Sequence, residues 1–346
     1  MRLGWRQFPK LYSAMTTFTI QLKPVYSKTV ETPEGITLPQ NWQLSWHQAE
    51  TFRLLDSRDI DVIFNTAMTG DGKSLAAYLR SMVVKFFSTM AMYPTNELAR
   101  DQERQVKEYK AKFQPKHNPQ IYRMTGSTLA DFVETNQLPS KQQGIINRVD
   151  NSEILLTNPD IFHYIHDFRY VRQGKKASQG DNPDKLFRKL DESYRLFIFD
   201  EFHIFSSPQI ASILNAMLLI KHTATPRKFL FLSATPSELL KGFLERSGLR
   251  YHAIDPVTAG AYRFSPSDEP HWRQISQPIT VTFPGDLEPN IRSGYDWLLE
   301  NAEEIILKFF LAHPGSKGAI ILNSIASVYK LLAILQPLFR QHGLTV

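Results

Sequence analysis

The sequence predicts an α/β fold, in which a parallel sheet carries helices on both of its faces. Short apolar runs recur along the chain, each run ends in small or polar residues, and segments with helical spacing separate many of them. Strands that alternate with helices in this way are typical of parallel sheets. The runs are DVIFNTA (61–67), TMAMYP (89–94), QIYRMTG (120–126), EILLTNP (153–159), LFIFDE (196–201) and KFLFLSAT (228–235).

The other predicted elements follow from hydrophobic periodicity. FTIQLKPVYSKTV (18–30) alternates apolar and polar residues and predicts one strand. The predicted helices of the first part are 42–58, 75–87 and 96–113. Towards the end of the chain we expect a strand (279–283), a helix (293–313), a strand (318–323) and a helix (324–341).

Two Gly/Pro-punctuated polar segments interrupt this rhythm. The segment 172–185 predicts a surface loop, and 255–278 predicts a domain boundary. We therefore expect an N-terminal extension (1–40), a first α/β domain (41–255), a linker (256–278) and the start of a second, incomplete domain (279–346). Whether Met1 or Met15 is the native start stays open, and so does a transit-peptide reading of the basic N-terminus.

Composition limits the class of protein. Of the 346 residues 42% are hydrophobic and 21% are charged, which is typical of a soluble globular protein. The formal charge of +6 mildly favours a polyanionic partner. The absence of cysteine excludes disulfides, thiolate catalysis and zinc–cysteine sites, and it fits a cytoplasmic location. We expect no membrane association, because no apolar run approaches the roughly 18 residues that span a bilayer.

The stretch AMTGDGKS (67–74) matches the phosphate-loop pattern G-x-x-x-x-G-K-[ST], except that Ala67 replaces the first glycine. Its two glycines allow the backbone to wrap a phosphate, and Lys73 supplies a cation to the terminal phosphates. Ser74 offers a hydroxyl to Mg²⁺ at the start of a predicted helix, whose N-terminus attracts anions. The alternative is a chance Gly-Lys turn. The strand before the loop and the helix after it favour a site for ATP and Mg²⁺.

FIFDEFHIF (197–205) places Asp200, Glu201 and His203 between apolar flanks. Burying such groups without partners is costly, so the cluster needs a reason. Beside a phosphate loop, Asp200 would hold Mg²⁺ through water, and Glu201 would orient and deprotonate the attacking water. The alternative, a pair of surface salt bridges, would be preferred if this segment stood alone.

AMTGDGKS, DEFH (200–203) and SAT (233–235), taken in this order, resemble the motifs of superfamily 2 helicases of the DExH type. The resemblance covers about residues 40–250 and implies a RecA-like domain, followed by the beginning of a second one. Phe202 departs from the family, in which many members carry alanine or a β-branched residue there. The implied catalytic residues are Lys73, Asp200 and Glu201, the implied metal-binding residues are Ser74 and Asp200, and the implied ATP-binding residues are Gln48, Thr69, Gly70, Asp71, Gly72, Lys73 and Ser74.

Three further segments resemble the family motifs that contact a nucleic-acid backbone: YPTNELARDQ (93–102), MTGS (124–127) and LLTNPDIF (155–162). Hydroxyl and amide groups there would bond phosphate oxygens without reading bases. Each segment alone also fits an ordinary helix cap or turn. The resemblance implies single-stranded DNA as a partner and, as contact residues, Pro94, Thr95, Asn96, Thr125, Gly126, Ser127, Thr157 and Asn158.

The SAT motif implies a coupling between the two sites. Ser233 and Thr235 follow the strand after DEFH, and their hydroxyls would bond His203 or the backbone of Asp200 and Glu201. Contact with nucleic acid would then change the geometry of the acids.

Within the superfamily, LLTNPDIFHYI, the polar loop, DEFH and FLFLSATP are most similar to CRISPR-associated helicases. The few residues before Gln48 leave no room for an HD nuclease, so the resemblance implies the stand-alone helicase subunit of type I-D systems. Its implied partners are a guide-RNA surveillance complex and a separate nuclease subunit. HYIHD (163–167) is interpreted as part of a helix rather than as an HD metal site.

Two alternatives stay open. One is a restriction- or repair-type translocase of the same superfamily, and the other is a nucleic-acid-binding module without turnover. The glycine-rich and arginine-bearing motifs of a second motor domain do not occur in these 346 residues. We therefore expect residues 1–346 alone to be inactive in ATP hydrolysis.

Overall fold

The computed structural model describes residues 18–166, 183–222, 227–233, 238–265, 269–283 and 291–346. These residues form two compact units. The larger unit spans residues 23–278, and the described part of the smaller unit consists of 18–22 together with 279–346.

In chain order the strands are β1 (Phe18–Leu22), β2 (Val25–Val30), β3 (Leu44–Ser45), β4 (Val62–Asn65), β5 (Thr89–Met92), β6 (Ile121–Arg123), β7 (Ile154–Thr157), β8 (Leu196–Asp200), β9 (Lys228–Leu232), β10 (Tyr251–Ile254), β11 (Tyr262–Arg263), β12 (Trp272–Ser276) and β13 (Ile279–Phe283). The α-helices are α1 (Trp46–Leu54), α2 (Lys73–Val83), α3 (Asn96–Phe113), α4 (Gly126–Thr135), α5 (Lys141–Asp150), α6 (Pro159–His166), α7 (Pro183–Ser193), α8 (Ser207–His222), α9 (Glu238–Arg246), α10 (Ile291–Glu300), α11 (Lys308–Ala312) and α12 (Ile325–Gln341).

Seven parallel strands form the main sheet of the larger unit, in the order β10-β4-β9-β8-β5-β7-β6. Side chains alternate between the two faces of a strand. Val62 and Phe64 of β4 accordingly enter one apolar core, and Ile63 enters the other. Helices α2 and α3 pack on the second face, whereas α5 to α9 contribute buried residues to the first. The predicted α/β fold, a RecA-like parallel sheet with helices on both faces, is confirmed.

The accessory sheet, which we define as β2, β3, β11 and β12, has its strands in the order β11-β2-β12 with β3 also paired to β2. The segment 256–278, which we expected to be a linker, supplies two of these strands. It also contributes the buried side chain of Tyr262. The two strands have only two and five residues, so polar, Pro and Ser residues dominate the segment and its composition did not predict them.

Two predicted elements have different bounds for local reasons. The strand predicted over 18–30 is divided between β1 and β2, which belong to different sheets. Pro24 lies in the gap and has no backbone N–H to donate to a ladder. The helix predicted over 42–58 begins at Trp46, because Ser45 and Gln48 form a capping box.

The smaller unit combines the antiparallel pair β1–β13 with helices α10 to α12 and a π-helical turn at Ala302–Leu307. Its core contains Leu331, Leu335 and Phe339 of α12. The segment 318–323 forms no strand, and Ile321 is 91% exposed. A strand requires a neighbour for its hydrogen bonds, and none of the described strands pairs with this segment. That residues 279–346 begin a second RecA-like domain stays a prediction.

None of the described helices is long and apolar enough to cross a membrane. Most of the predicted loop 172–185 lies outside the described residues.

Candidate nucleotide and nucleic-acid site

The loop 67–74 connects β4 to α2 at the carboxyl edge of the main sheet. Gly70 and Gly72 have φ angles of +90° and +82°, in the left-handed region that glycine adopts without strain. A Cβ on Gly72 would also lie 2.6 Å from Nε2 of Gln48. Ala67 is not in the left-handed region, which explains why alanine can replace the first glycine of the pattern.

Lys73 and Ser74 lie in the first turn of α2, and both are partly exposed. Nζ of Lys73 donates to the carbonyl oxygen of Ala67 at 2.8 Å, so the side chain folds over the loop. Thr69 and Gly70 are exposed. The loop therefore offers a lysine, a hydroxyl group and a helix N-terminus at one place, which is a suitable site for phosphate.

Gln48 is buried and contacts the loop directly. Its Nε2 donates to the carbonyl oxygens of Gly72 (3.0 Å) and Asp71 (3.2 Å), and its Oε1 accepts from the backbone N–H of Ser45 (2.9 Å). In this structure the amide expected to read adenine is bonded within the protein. Its position at the loop agrees with a place near the nucleotide, although the role of Gln48 stays a prediction.

Asp71 is the one acid of the loop, and its side chain is 0% exposed. Its carboxylate accepts four hydrogen bonds from three parts of the chain, and none of these donors was singled out by sequence reasoning. They are Ser27 Oγ (2.7 Å), Ser45 Oγ (2.7 Å), Tyr262 OH (3.0 Å) and Arg273 Nη2 (3.0 Å). Nε2 of His47 also lies 3.3 Å from Oδ2 of this carboxylate.

A buried polar network continues below the loop. Nδ2 of Asn65 donates to Nδ1 of His47 (3.0 Å), so Nε2 of His47 carries the proton and donates to the carbonyl oxygen of Asp71 (3.1 Å). Oδ1 of Asn65 accepts from the backbone N–H of Ala67 (3.1 Å). Because buried polar groups are costly when unpaired, this network specifies one conformation of the loop.

The pKa of Asp71 reflects these contacts. Burial alone would raise it, but hydrogen bonding by His47 and by the hydroxyl groups of Ser45 and Ser27 outweighs burial and lowers the pKa to about 2. Asp71 is therefore ionised at neutral pH, and its charge is directed into the protein rather than toward the loop's exposed side.

The two acids of DEFH occupy the end of β8, two strands from the loop's strand. Asp200 is 6% exposed, and its Oδ1 accepts from the backbone N–H of Glu201 (2.9 Å). Burial and the charge of Glu201 raise the pKa of Asp200 to about 6, and the nearby charge of Lys73 partly opposes this. A cation bound to Asp200 would offset both the burial of its charged form and its repulsion by Glu201. The side chain of Asp200 therefore fits Mg²⁺.

Glu201 itself has a left-handed backbone conformation, with φ 49° and ψ 41°. Such a conformation is uncommon for residues other than glycine, and it turns the chain sharply after β8. Phe202, the residue that departs from the family pattern, is buried, and its ring packs edge-on against Phe231 of β9 with centroids 4.8 Å apart. The aromatic contact stabilises the turn that carries Glu201.

Ser233 and His203 are brought together at the ends of β9 and β8. Oγ of Ser233 lies 3.3 Å from Nδ1 of His203, which in turn lies 3.4 Å from Oε2 of Glu201. This chain of contacts connects the SAT motif to the acid expected to activate water. Thr235, the other coupling residue we predicted, lies outside the described residues.

The predicted nucleic-acid residues follow three adjacent strands, β5, β7 and β6, at the same edge of the sheet. Nδ2 of Asn158 donates to Oδ1 of Asn96 (2.8 Å), which joins two of the motifs. Thr95 and Thr125 are N-caps of α3 and α4. The exposed groups at this edge are Thr95, Asn96, Gly126 and Ser127, with Pro94 half-buried.

Thr125 and Thr157 are buried, and the hydroxyl group of Thr157 donates to the carbonyl oxygen of Met124 (2.8 Å). In this structure they support the loops rather than present a hydroxyl group to a ligand. His163 of HYIHD lies 3.0 Å from the hydroxyl group of Ser212 on α8. Residues 159–166 are helical, as the sequence predicted for this segment.

Replacing Asp200 by asparagine is expected to stabilise the metal-free protein at high pH. An acid whose pKa is higher in the folded than in the unfolded chain costs stability increasingly as pH rises from the unfolded to the folded value, and the full cost applies above it. The gain at pH 8 is therefore up to about 3 kcal/mol. The gain should shrink as pH falls from 6 to 4, because the wild-type carboxyl is then protonated in the fold. Thermal unfolding of the variant and of wild type, recorded between pH 4 and pH 8 in the presence of a chelator, measures this difference in stability.

Asp131→Asn, on the exposed surface of α4, is the control. A gain for Asp200→Asn that does not change between pH 8 and pH 4 would contradict the electrostatic explanation.

Comparison with known proteins agrees with this site. Residues 45–242 match the model of the DEAD/DEAH box helicase family. No curated protein matches the chain.

The chain also resembles solved structures of the DUF1998 helicase MrfA. The structure bound to DNA and AMPPNP has a TM-score of 0.64 and 17% identity, over 94% of this chain and 41% of that one. The structure bound to DNA has a TM-score of 0.62 and 16% identity, over 94% of this chain and 42% of that one. A further MrfA structure has a TM-score of 0.54 and 15% identity, over 88% of this chain and 40% of that one. This chain thus spans about two fifths of the length of MrfA. Identities this low show a shared fold.

The family match covers more than half of the chain and includes the phosphate loop, Asp200, Glu201 and Ser233. The chain therefore belongs to the DEAD/DEAH box helicases, within superfamily 2.

Proposed function

We propose that the protein is an ATP-dependent DNA helicase or translocase, which hydrolyses ATP with Mg²⁺ to move along and unwind DNA. One observation carries this proposal. A single edge of the parallel sheet holds the phosphate loop, the acid pair at the end of β8 and, after β5 and β6, two loops with exposed hydroxyl and amide groups. Ligands of α/β sheets bind at this edge, so nucleotide and nucleic acid would lie on neighbouring strands.

The residues divide the chemistry between them. Mg²⁺, when bound at Ser74 and Asp200, supplies positive charge to the phosphates. Lys73 and the amides at the start of α2 bind the terminal phosphates and stabilise the charge that develops there. Glu201, which is only partly buried, accepts the proton of the attacking water. Ser233 and His203 would transmit the state of the nucleic-acid site to Glu201 through the contacts described above.

The choice of nucleic acid is supported by MrfA, which is described as a helicase bound to DNA. The AMPPNP in the same complex supports ATP as the nucleotide. Exposed hydroxyl and amide groups at the loops suit contacts to phosphate and sugar, which carry no sequence information. We therefore expect binding to single-stranded DNA with little dependence on its sequence.

The proposal is tested by phosphate release from the intact protein that carries this chain, with and without single-stranded DNA. We expect turnover to rise on addition of DNA and to require Mg²⁺. Single-stranded RNA in a parallel assay separates the two substrates. ATP turnover that responds to neither nucleic acid would contradict a helicase, and nucleic-acid binding without any ATP turnover would favour the alternative of a nucleic-acid-binding module without turnover.

We further propose that this helicase serves CRISPR interference, in antiviral defence, as the stand-alone subunit of a type I-D system. The support is the sequence resemblance of LLTNPDIFHYI, DEFH and FLFLSATP. The rival is a restriction- or repair-type translocase of the same superfamily. Co-purification with a guide-RNA complex and a separate nuclease subunit would favour the CRISPR role, and its absence under native expression would favour the rival.

A further inference from the structure

The accessory sheet contacts the phosphate loop at three points. The hydroxyl group of Tyr262 accepts from the backbone N–H of Met68 (2.8 Å) and donates to the carboxylate of Asp71 (3.0 Å). Arg273 donates to the same carboxylate (3.0 Å). The third is the close approach of the carbonyl oxygen of Ile275 to the backbone of Gly70. A Cβ added at Gly70 would lie only 3.2 Å from that oxygen.

An acid in a phosphate loop poses an electrostatic problem, because a carboxylate beside bound triphosphate repels it. The structure shows how the problem is solved for Asp71. Its side chain is fully buried, whereas Thr69 and Gly70 are exposed, and the guanidinium group of Arg273 compensates its charge. Ser27 of β2 supplies a further hydrogen bond at 2.7 Å.

These partners lie outside the part of the chain that matches the helicase family. The match covers residues 45–242, whereas Ser27 precedes it and Tyr262 and Arg273 follow it. Two segments far apart in sequence meet at Asp71 through the pairing of β2 with β11 and β12.

We propose that Ser27, Tyr262 and Arg273, which we name the loop-supporting side chains, are positioning residues of the nucleotide site. They hold residues 68–71 in the conformation that accepts phosphate, Tyr262 by fixing Met68 and Arg273 by neutralising Asp71. This inference rests on the proposed ATP site and extends it beyond the family motifs, to the accessory sheet.

Arg273 is one of several partners of Asp71. The side chain is 44% exposed, and without it Asp71 still accepts hydrogen bonds from Ser27, Ser45 and Tyr262. Its removal should therefore leave the protein folded, with a carboxylate charge that is no longer neutralised near the bound phosphates. A loss of nucleotide affinity in a folded Arg273 variant would therefore indicate a positioning role rather than a general structural role.

The test compares Arg273→Met with Arg263→Met in the intact protein. Arg263 belongs to the same sheet, but it pairs with Glu269 and stacks on Trp272, away from the loop. Methionine keeps much of the apolar stem and removes the charge in both variants. We expect Arg273→Met to weaken binding of AMPPNP with Mg²⁺ about tenfold, the size of one charge-assisted contact, and Arg263→Met to leave the Kd unchanged.

A second substitution makes the result specific. In the double variant Arg273→Met with Asp71→Asn the carboxylate is absent, so AMPPNP affinity should recover most of the tenfold loss. Tyr262→Phe should raise the KM for ATP more than it lowers kcat. It should also speed amide hydrogen exchange in a peptide covering 66–74 of the nucleotide-free protein, because the amide of Met68 loses its acceptor.

The outcomes separate this proposal from the proposed function. Wild-type protein that binds no AMPPNP would overturn the ATP site and the positioning role together. Wild-type binding with an unchanged Kd in folded Arg273→Met, or an equal loss in Arg263→Met, would overturn the positioning role alone. An affinity that Asp71→Asn does not restore would show that neutralisation of Asp71 is not the reason.

Discussion

Glu201→Gln is expected to lower DNA-stimulated ATP hydrolysis about a thousandfold, within the range of 10² to 10⁴ that a general base contributes. The amide keeps the shape of the side chain but cannot accept a proton from water. The αL turn at Glu201 and the packing of Phe202 against Phe231 are backbone and neighbour features, which the substitution does not change. ATP should therefore bind with nearly unchanged affinity and accumulate unhydrolysed.

Single-turnover hydrolysis and equilibrium binding of AMPPNP, measured on the same preparation, check this result. Glu134→Gln on the exposed face of α4 is the matched control, and it should behave as wild type. A parallel loss of affinity and rate in Glu201→Gln would mean that the residue binds nucleotide instead of activating water.

Lys73→Ala is expected to weaken nucleotide binding and to abolish ATP-dependent unwinding. A lysine that contacts phosphate makes a charge-assisted hydrogen bond worth about 1.5–3 kcal/mol, which is about ten- to hundredfold in affinity. The loss in kcat/KM should be larger, because the same charge stabilises the transition state. Among the residues that the structure describes, the hydrogen bond given up is the one to the carbonyl oxygen of Ala67, so the fold should persist.

Lys85→Ala, in the exposed segment after the C-terminal end of α2, controls for the loss of a lysine near this helix. AMPPNP titration and a strand-separation assay measure the two effects, and circular dichroism checks the fold. Normal ATP turnover in Lys73→Ala would remove the basis for assigning the loop 67–74 to ATP.

The strands β4 to β9 of the main sheet were predictable because they are largely buried, whereas β10, in which His252 and Ala253 are exposed, was not predicted. Runs such as LFIFD and KFLFL are continuously apolar and end in polar residues, and each predicted run contains an observed strand. The helix predicted over 96–113 has those bounds in the structure, since Thr95 caps its start and Gln114 has a left-handed conformation at its end. For these strands and this helix, the local sequence pattern was sufficient for the prediction.

The helices α4, α5 and α7 to α9 were not predicted as separate elements, and the strand predicted over 318–323 does not form. A strand is stabilised by its neighbours, so an apolar run shows only that one is possible. The partners of Asp71 were missed for a related reason. Residues 27, 45, 262 and 273 meet only through the pairing of β2 with β3, β11 and β12, and no local pattern specifies that pairing.

The place of β10 in the main sheet has a consequence for where a segment that contains this domain can end. This strand comes after the family match and pairs with β4, the strand that leads into the phosphate loop. A gene segment that ended with the match would leave β4 as an open edge, with unpaired backbone groups available to other chains. A segment of the chain that keeps β4 paired on this side must therefore extend to at least residue 254, and to residue 273 if Asp71 is to keep its contacts with Tyr262 and Arg273. The part of the chain that completes the sheet and supports Asp71 is therefore longer than the part that matches the family.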